Sequence, residues 1–97
     1  MPAPVDPEID HLAEIAYTNW RETADRILPP WSALMSYERI RWHWAVEEAT
    51  PQAMRDRYSV GIYVAEWGKA SSAVRARWGR ISRAVERARA ELERQSA

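Results

Sequence analysis

His43 lies in the run Trp42, His43, Trp44 with Glu47 four residues later, a spacing that puts an imidazole and a carboxylate on one helix face. Two such groups begin a metal site. Completing one takes more ligands, and the chain has two histidines, His11 and His43, no cysteine, no paired-histidine zinc motif and no third ligand at suitable spacing. The pair therefore reads as a surface histidine beside a carboxylate. Glu47 and Glu48 are adjacent and point about 100° apart on a helix, so they form no carboxylate dyad. A glycine-rich phosphate loop, a nucleophile elbow and a Ser, His and acid set are all missing from the sequence. No catalytic, cofactor or metal residue is expected, no small-molecule substrate is evident, and the chain reads as non-enzymatic.

The arginines carry more information. Arg80, Arg83 and Arg87 recur at i, i+3 and i+7, with Arg94 seven residues on, and Arg75 and Arg77 precede them. Like charges at these spacings cost a few tenths of a kcal/mol per pair in an isolated helix, so an anion nearby would relieve them. The anion is either internal, from the acidic first helix with Asp10, Glu14, Glu22 and Asp25, or external, as in nucleic acid. Of the six tryptophans, Trp20, Trp44, Trp67 and Trp78 fall on apolar stripes and read as core. Trp31 and Trp42 are harder to place, with core packing the preferred reading for either. An exposed Trp beside Arg is a typical hot spot or a base-stacking platform, so Trp31, Trp42, Arg75, Arg77, Arg80, Arg83 and Arg87 are the candidate partner-binding residues.

The elements that position these groups are helices. Asp6 before Pro7 is a cap followed by a proline at the first helical position, and Ile9, Leu12, Ala13, Ala16, Trp20, Ala24, Ile27 and Leu28 make one stripe. A first helix is expected from Pro7 to the break at Pro29 and Pro30, after an extended arm over residues 1–6. A short turn over Trp31 to Met35 leads to a second helix, capped by Ser36 and running to about Ala49. Thr50 and Pro51 repeat the cap and proline signal and open a third helical stretch.

From there Val60, Val64, Trp67, Ser71, Val74, Trp78, Ile81, Val85, Ala88 and Leu92 alternate steps of three and four, a heptad seam. The stretch is one long helix or two helices, with a break near Gly68 to Ser72 the preferred reading. Val74, Trp78, Ile81, Val85 and Leu92 are the candidate self-association residues of a homodimer. Gly61, Ala65, Gly68, Ser72, Ala76 and Gly79 form a second, small-residue stripe that a neighbouring backbone could approach. The expected fold is all-α, a small bundle of three or four helices over residues 7–95 with a heptad-patterned C-terminal helix.

Composition bounds the rest. Ninety-seven residues, 46% hydrophobic and 29% charged, suit one globular core. Thirteen arginines against one lysine reflect GC-rich coding as much as function. The formal charge of zero hides a division, because residues 1–68 carry six basic and eleven acidic groups while residues 69–97 carry eight and three. The N-terminus shows no signal-peptide pattern, no run of about 18 apolar residues exists, and cysteine is absent, so a cytoplasmic setting without membrane association is expected.

The stretch PPWSALMSYERIRWHWA resembles a recurring segment of small proteins from phages of actinobacteria, with Trp31, Leu34, Arg39, Trp42 and Ala45 at the same spacing. Ala16, Tyr17 and Trp20 match the aromatic helix that precedes it. The resemblance covers about 30 residues of this sequence. It implies a phage-type accessory protein and helix packing, and in host cells it implies the host cytoplasm. The same segment is distantly similar to the middle helix of high-mobility-group boxes, which implies minor-groove DNA binding. The N-terminal segment departs from that pattern, being acidic and proline-interrupted instead of basic. The leading expectation is a module that binds a host or phage protein; the alternatives are a nucleic-acid-binding protein using the C-terminal arginines and a self-assembling structural component.

Overall fold

Asp6 caps the first helix through its side chain, accepting a hydrogen bond from the Glu8 N–H at 2.8 Å, and Pro7 occupies the first turn, where its missing N–H costs nothing. A computed structural model of the chain describes residues 6–48 and 50–96, so nearly all of the expected N-terminal arm lies outside the described residues. Within them the protein is all-α. Four helices, α1 (Pro7–Glu22), α2 (Ser36–Val46), α3 (Pro51–Tyr58) and α4 (Ser72–Ser96), are joined by 3-10 turns at Trp31–Ala33 and Trp67–Lys69. The helices form a closed ring in which α1 packs on α2 and α4, and α3 packs on α2 and α4. The core at its centre takes Leu12, Ala16 and Tyr17 from α1, Trp42, Ala45 and Val46 from α2, Met54 from α3, and Trp78, Ile81 and Val85 from α4. Among the described residues no helix is long and apolar enough to cross a membrane.

Three expectations change. First, α1 stops at Glu22, well short of the double proline, and Ile27 is wholly exposed. The Thr23 hydroxyl donates to the Trp20 carbonyl, the Arg21 Nε donates to the Leu28 carbonyl at 2.9 Å, and the Tyr17 hydroxyl donates to the Pro29 carbonyl, which turns the chain back along the helix it has just left. Pro29 adds its own steric bias against helix at Leu28. Second, Ser36 is the first helical residue and Met35 the cap, because the Glu38 carboxylate reaches back to accept the Met35 N–H at 3.3 Å. The helix ends at Val46, and Ala49 lies outside the described residues.

Third, the long heptad pattern is divided. Thr50 Oγ1 caps α3, accepting from the Ala53 N–H at 3.3 Å, but that helix ends at Tyr58. Val60 and Val64 lie in a loop that turns through Gly61, whose φ of +83° favours a residue without Cβ. The expected break near Gly68 to Ser72 is present: the 3-10 turn ends at Lys69, and Ser71 Oγ accepts from the Val74 N–H at 3.2 Å to start α4. The small-residue stripe is split among the loop, the 3-10 turn and the outer side of α4, and a Cβ on Gly61 or Gly68 would meet nothing within 4 Å, so no backbone packs there.

Candidate functional site

The structure moves most of the sequence-derived candidates into the fold. Trp42 is 2% exposed, surrounded by Tyr58 at 4.5 Å between ring centroids, Trp20 at 5.6 Å, Tyr17 at 5.8 Å and Trp78 at 5.9 Å. Trp31 is turned under Tyr17 and His43 by its 3-10 turn and covered by the Arg39 guanidinium. Neither ring is placed to meet a partner. Their roles exchange with Trp44, read as core and in fact 41% exposed. The cause is the two-sided burial of α2, whose inner arc is set by α1, α3 and α4 together.

The seam is likewise consumed at home. Trp78, Ile81 and Val85 are buried in the core, Leu92 is half-buried against it, and Val74 keeps partial exposure at the start of α4. As placed they are not a free dimer surface. His43 does pair with a carboxylate, but it is Asp10 across the α1–α2 contact at 2.9 Å; Glu47 and Glu48 both go to Arg57, at 2.9 and 3.1 Å.

Two sets of arginines stand out among the thirteen. Arg75, Arg80, Arg83 and Arg87 are exposed on α4 and, among the described residues, form no hydrogen bond or ion pair through their side chains. The other set does something the sequence did not suggest, closing helix ends. Arg77 of α4 donates to the Trp20 carbonyl of α1 at 2.6 Å; Arg57 of α3 donates to the Trp44 carbonyl of α2 at 3.1 Å; Arg89 of α4 donates to the Val46 carbonyl of α2 at 2.6 Å; Arg41 of α2 donates to the Tyr58 carbonyl of α3 at 2.9 Å. Each C-terminus of the first three helices receives a guanidinium from another helix. Carbonyls there lack intrahelical donors and sit at the negative end of the helix dipole, so a cation satisfies both needs. The only sequence-level signal was negative: no glycine follows any of these helices at the usual C-terminal position.

One open face of the molecule is organised around Trp20. This half-buried ring lines three neighbouring clefts. One, of about 230 Å³, is walled by Leu28, Leu34 and Ile62 and includes Arg26, Arg41 and Glu38. A second, of about 410 Å³, lies among Ala24, Asp25, Arg26 and Arg77. The third, of about 370 Å³, lies between the ends of α1 and α3 and the start of α4. Around them the loops hold apolar side chains out into water: Ile27 and Tyr63 are almost completely exposed, and Val60, Ile62 and Val64 are about half exposed. Trp20 is common to all three, and in the first and third it is joined by Tyr58, which packs at a tilt against Trp20 at 5.5 Å and Trp78 at 5.7 Å.

Burial raises the Tyr58 phenol above its ordinary range, even though the Arg41, Arg77 and Arg26 guanidiniums all pull the other way. Burial also lowers Arg77, with Tyr58 and Asp25 opposing. Among the described residues no three His, Asp or Glu groups are close enough to hold a metal ion. The arrangement is one of apolar and aromatic surface with a cationic rim, suited to holding another molecule. Comparison with protein-family models, curated proteins and solved structures finds no match to this chain.

Proposed function

We propose that the chain is a non-enzymatic interaction module, of the phage accessory type that its Trp31 to Ala45 segment resembles, and that it binds a partner protein through the face centred on Trp20. The observation that carries this is the cluster of solvent-facing Ile27, Ile62, Tyr63 and Val64 beside clefts floored by Trp20 and Tyr58. Apolar side chains held out by loops above an aromatic floor and rimmed by arginine have the composition of a hot-spot region. The absence of cysteine suits a cytoplasmic setting.

The test is quantitative affinity capture from a host lysate with the native chain, with Ile27→Asp and Tyr63→Asp, and with Arg83→Glu as a control on the opposite charge set. A single saturable partner that is lost in the first two variants and kept in the third supports the reading. A partner retained equally by all of them overturns it.

A second reading has its own observation. The exposed Arg80, Arg83 and Arg87 have no carboxylate partner among the described residues, which leaves them free for the phosphates of nucleic acid. Binding of labelled duplex or single-stranded DNA or RNA that falls steeply between two salt concentrations and is lost in Arg80→Ala with Arg83→Ala would promote it. No binding at low salt would remove it.

A further inference from the structure

The three clefts around Trp20 differ in charge. Glu38 lines the first and Asp25 the second, but no carboxylate lines the third, which has Arg77 and Lys69 at its edge together with Arg55, already paired with Asp56 at 2.7 Å. Its floor is Trp20, Tyr58 and Trp78, and its walls are Val64 and Val74. Neither Arg77 nor Lys69 forms an ion pair among the described residues, although Asp25 acts on Arg77 from the neighbouring cleft. The Arg77 guanidinium is held by neutral oxygens, the Trp20 carbonyl and Thr23 Oγ1, and the Lys69 ammonium forms no ion pair among the described residues. A half-enclosed apolar space of about 370 Å³ beside two cations without an ion-pair partner among the described residues is complementary to an apolar group attached to an anion.

We infer that this cleft takes an acidic segment of the partner protein, with a bulky aliphatic side chain seated between Val64 and Val74 on the aromatic floor and an adjacent carboxylate at Lys69 and Arg77. The inference rests on the Trp20 face being the protein-binding surface. It adds the chemistry of the occupant. Arg77 is already fixed over Trp20, 4.7 Å from the ring centroid, so its charge is oriented before the ligand arrives and little side-chain entropy is lost on binding.

The experiment is fluorescence anisotropy with a fluorescein-labelled, C-terminally amidated peptide of repeating Asp-Glu-Leu. Its neutral counterpart of repeating Asn-Gln-Leu, its counterpart of repeating Asp-Glu-Ser, and sodium decanoate as competitor form the other arms. The expected result is saturable binding of the acidic leucine peptide, at least tenfold weaker for either counterpart, and at least tenfold weaker again in Lys69→Glu and in Val74→Asp. Both sites are exposed, and unchanged thermal melting shows that the variants still fold.

Equal affinity for the neutral peptide, or unchanged affinity in both variants, overturns the inference. Displacement by decanoate without peptide binding overturns it in favour of a lipid-chain site. If the peptide does not bind while Tyr63→Asp still abolishes partner capture, the occupant is wrong and the face stands. If capture survives Tyr63→Asp and Ile27→Asp, the face itself is wrong.

Discussion

The Arg77 guanidinium lies over the Trp20 indole, 4.7 Å from the ring centroid, and donates to the carbonyl oxygen of that same residue at 2.6 Å, with its Nε on Thr23 Oγ1 at 2.7 Å. One side chain of α4 thereby closes the end of α1, adds a short charged bond to a carbonyl that among the described residues otherwise accepts only from Thr23 at 3.2 and 3.3 Å, and covers the edge of the aromatic floor. Substituting Arg77→Ala should cost about 2 kcal/mol, the range for hydrogen bonds to a charged donor, and lower the melting temperature by about 10 °C in a chain of this length. Arg77→Lys should restore little of this, because an ammonium offers neither the fork nor the flat stacking surface. Thermal melts followed by circular dichroism check both.

The two tryptophans of α2 should behave in opposite ways. Trp42→Ala empties a site enclosed by four rings and should cost about 4 kcal/mol, a large part of the total stability of a small domain. Trp44→Ala removes a ring already 41% exposed and should cost about 1 kcal/mol or less. Urea unfolding of the pair decides the matter, and equal losses would contradict the placement of α2.

The glycines also separate. Gly79 sits inside α4, where an added Cβ would meet only the flexible end of Arg83 at 3.5 Å. Gly79→Ala should therefore stabilise the protein by about 1 kcal/mol through helix propensity. Gly61 holds φ at +83°, and Gly61→Ala should destabilise by about 1 kcal/mol because a Cβ strains that backbone even though the space is open. Differential melting temperatures of opposite sign are the expected result.

Alkaline pH should loosen the fold through its buried phenols. Burial raises Tyr58 and Tyr17 above their ordinary value of 10.0. A raised acid favours the neutral phenol in the folded state, so its contribution is complete below pH 10 and lost as pH rises through the higher folded value. Stability measured by urea titration should fall above about pH 10, and fall less in Tyr58→Phe, with the residual slope left to Tyr17.

How much of this was legible beforehand follows from the range of the forces. These helix starts read well because they are local: Asp6 with Pro7, Thr50 with Pro51, and Ser71 each hydrogen-bond within a few residues, and each begins a helix where expected. The apolar period of α4 read well too, since a stripe must be buried somewhere. Its partner did not. A heptad pattern fits a second chain and three other helices of the same chain equally well, and here α1, α2 and α3 supply the cover for Trp78, Ile81 and Val85.

The sequence by itself determined a helical chain, the starts of its helices, and which stripe of its last helix would be apolar. Only the tertiary structure decided that Trp42 is core and Trp44 is surface, that α1 ends at Glu22, and that Trp20 is the hub of an open face. It also decided the arginines, whose charge a sequence reads as something awaiting an outside anion. Four of them are held by carbonyls on other helices, between 13 and 57 positions away along the chain, and nothing in local periodicity reports a donor and acceptor so far apart.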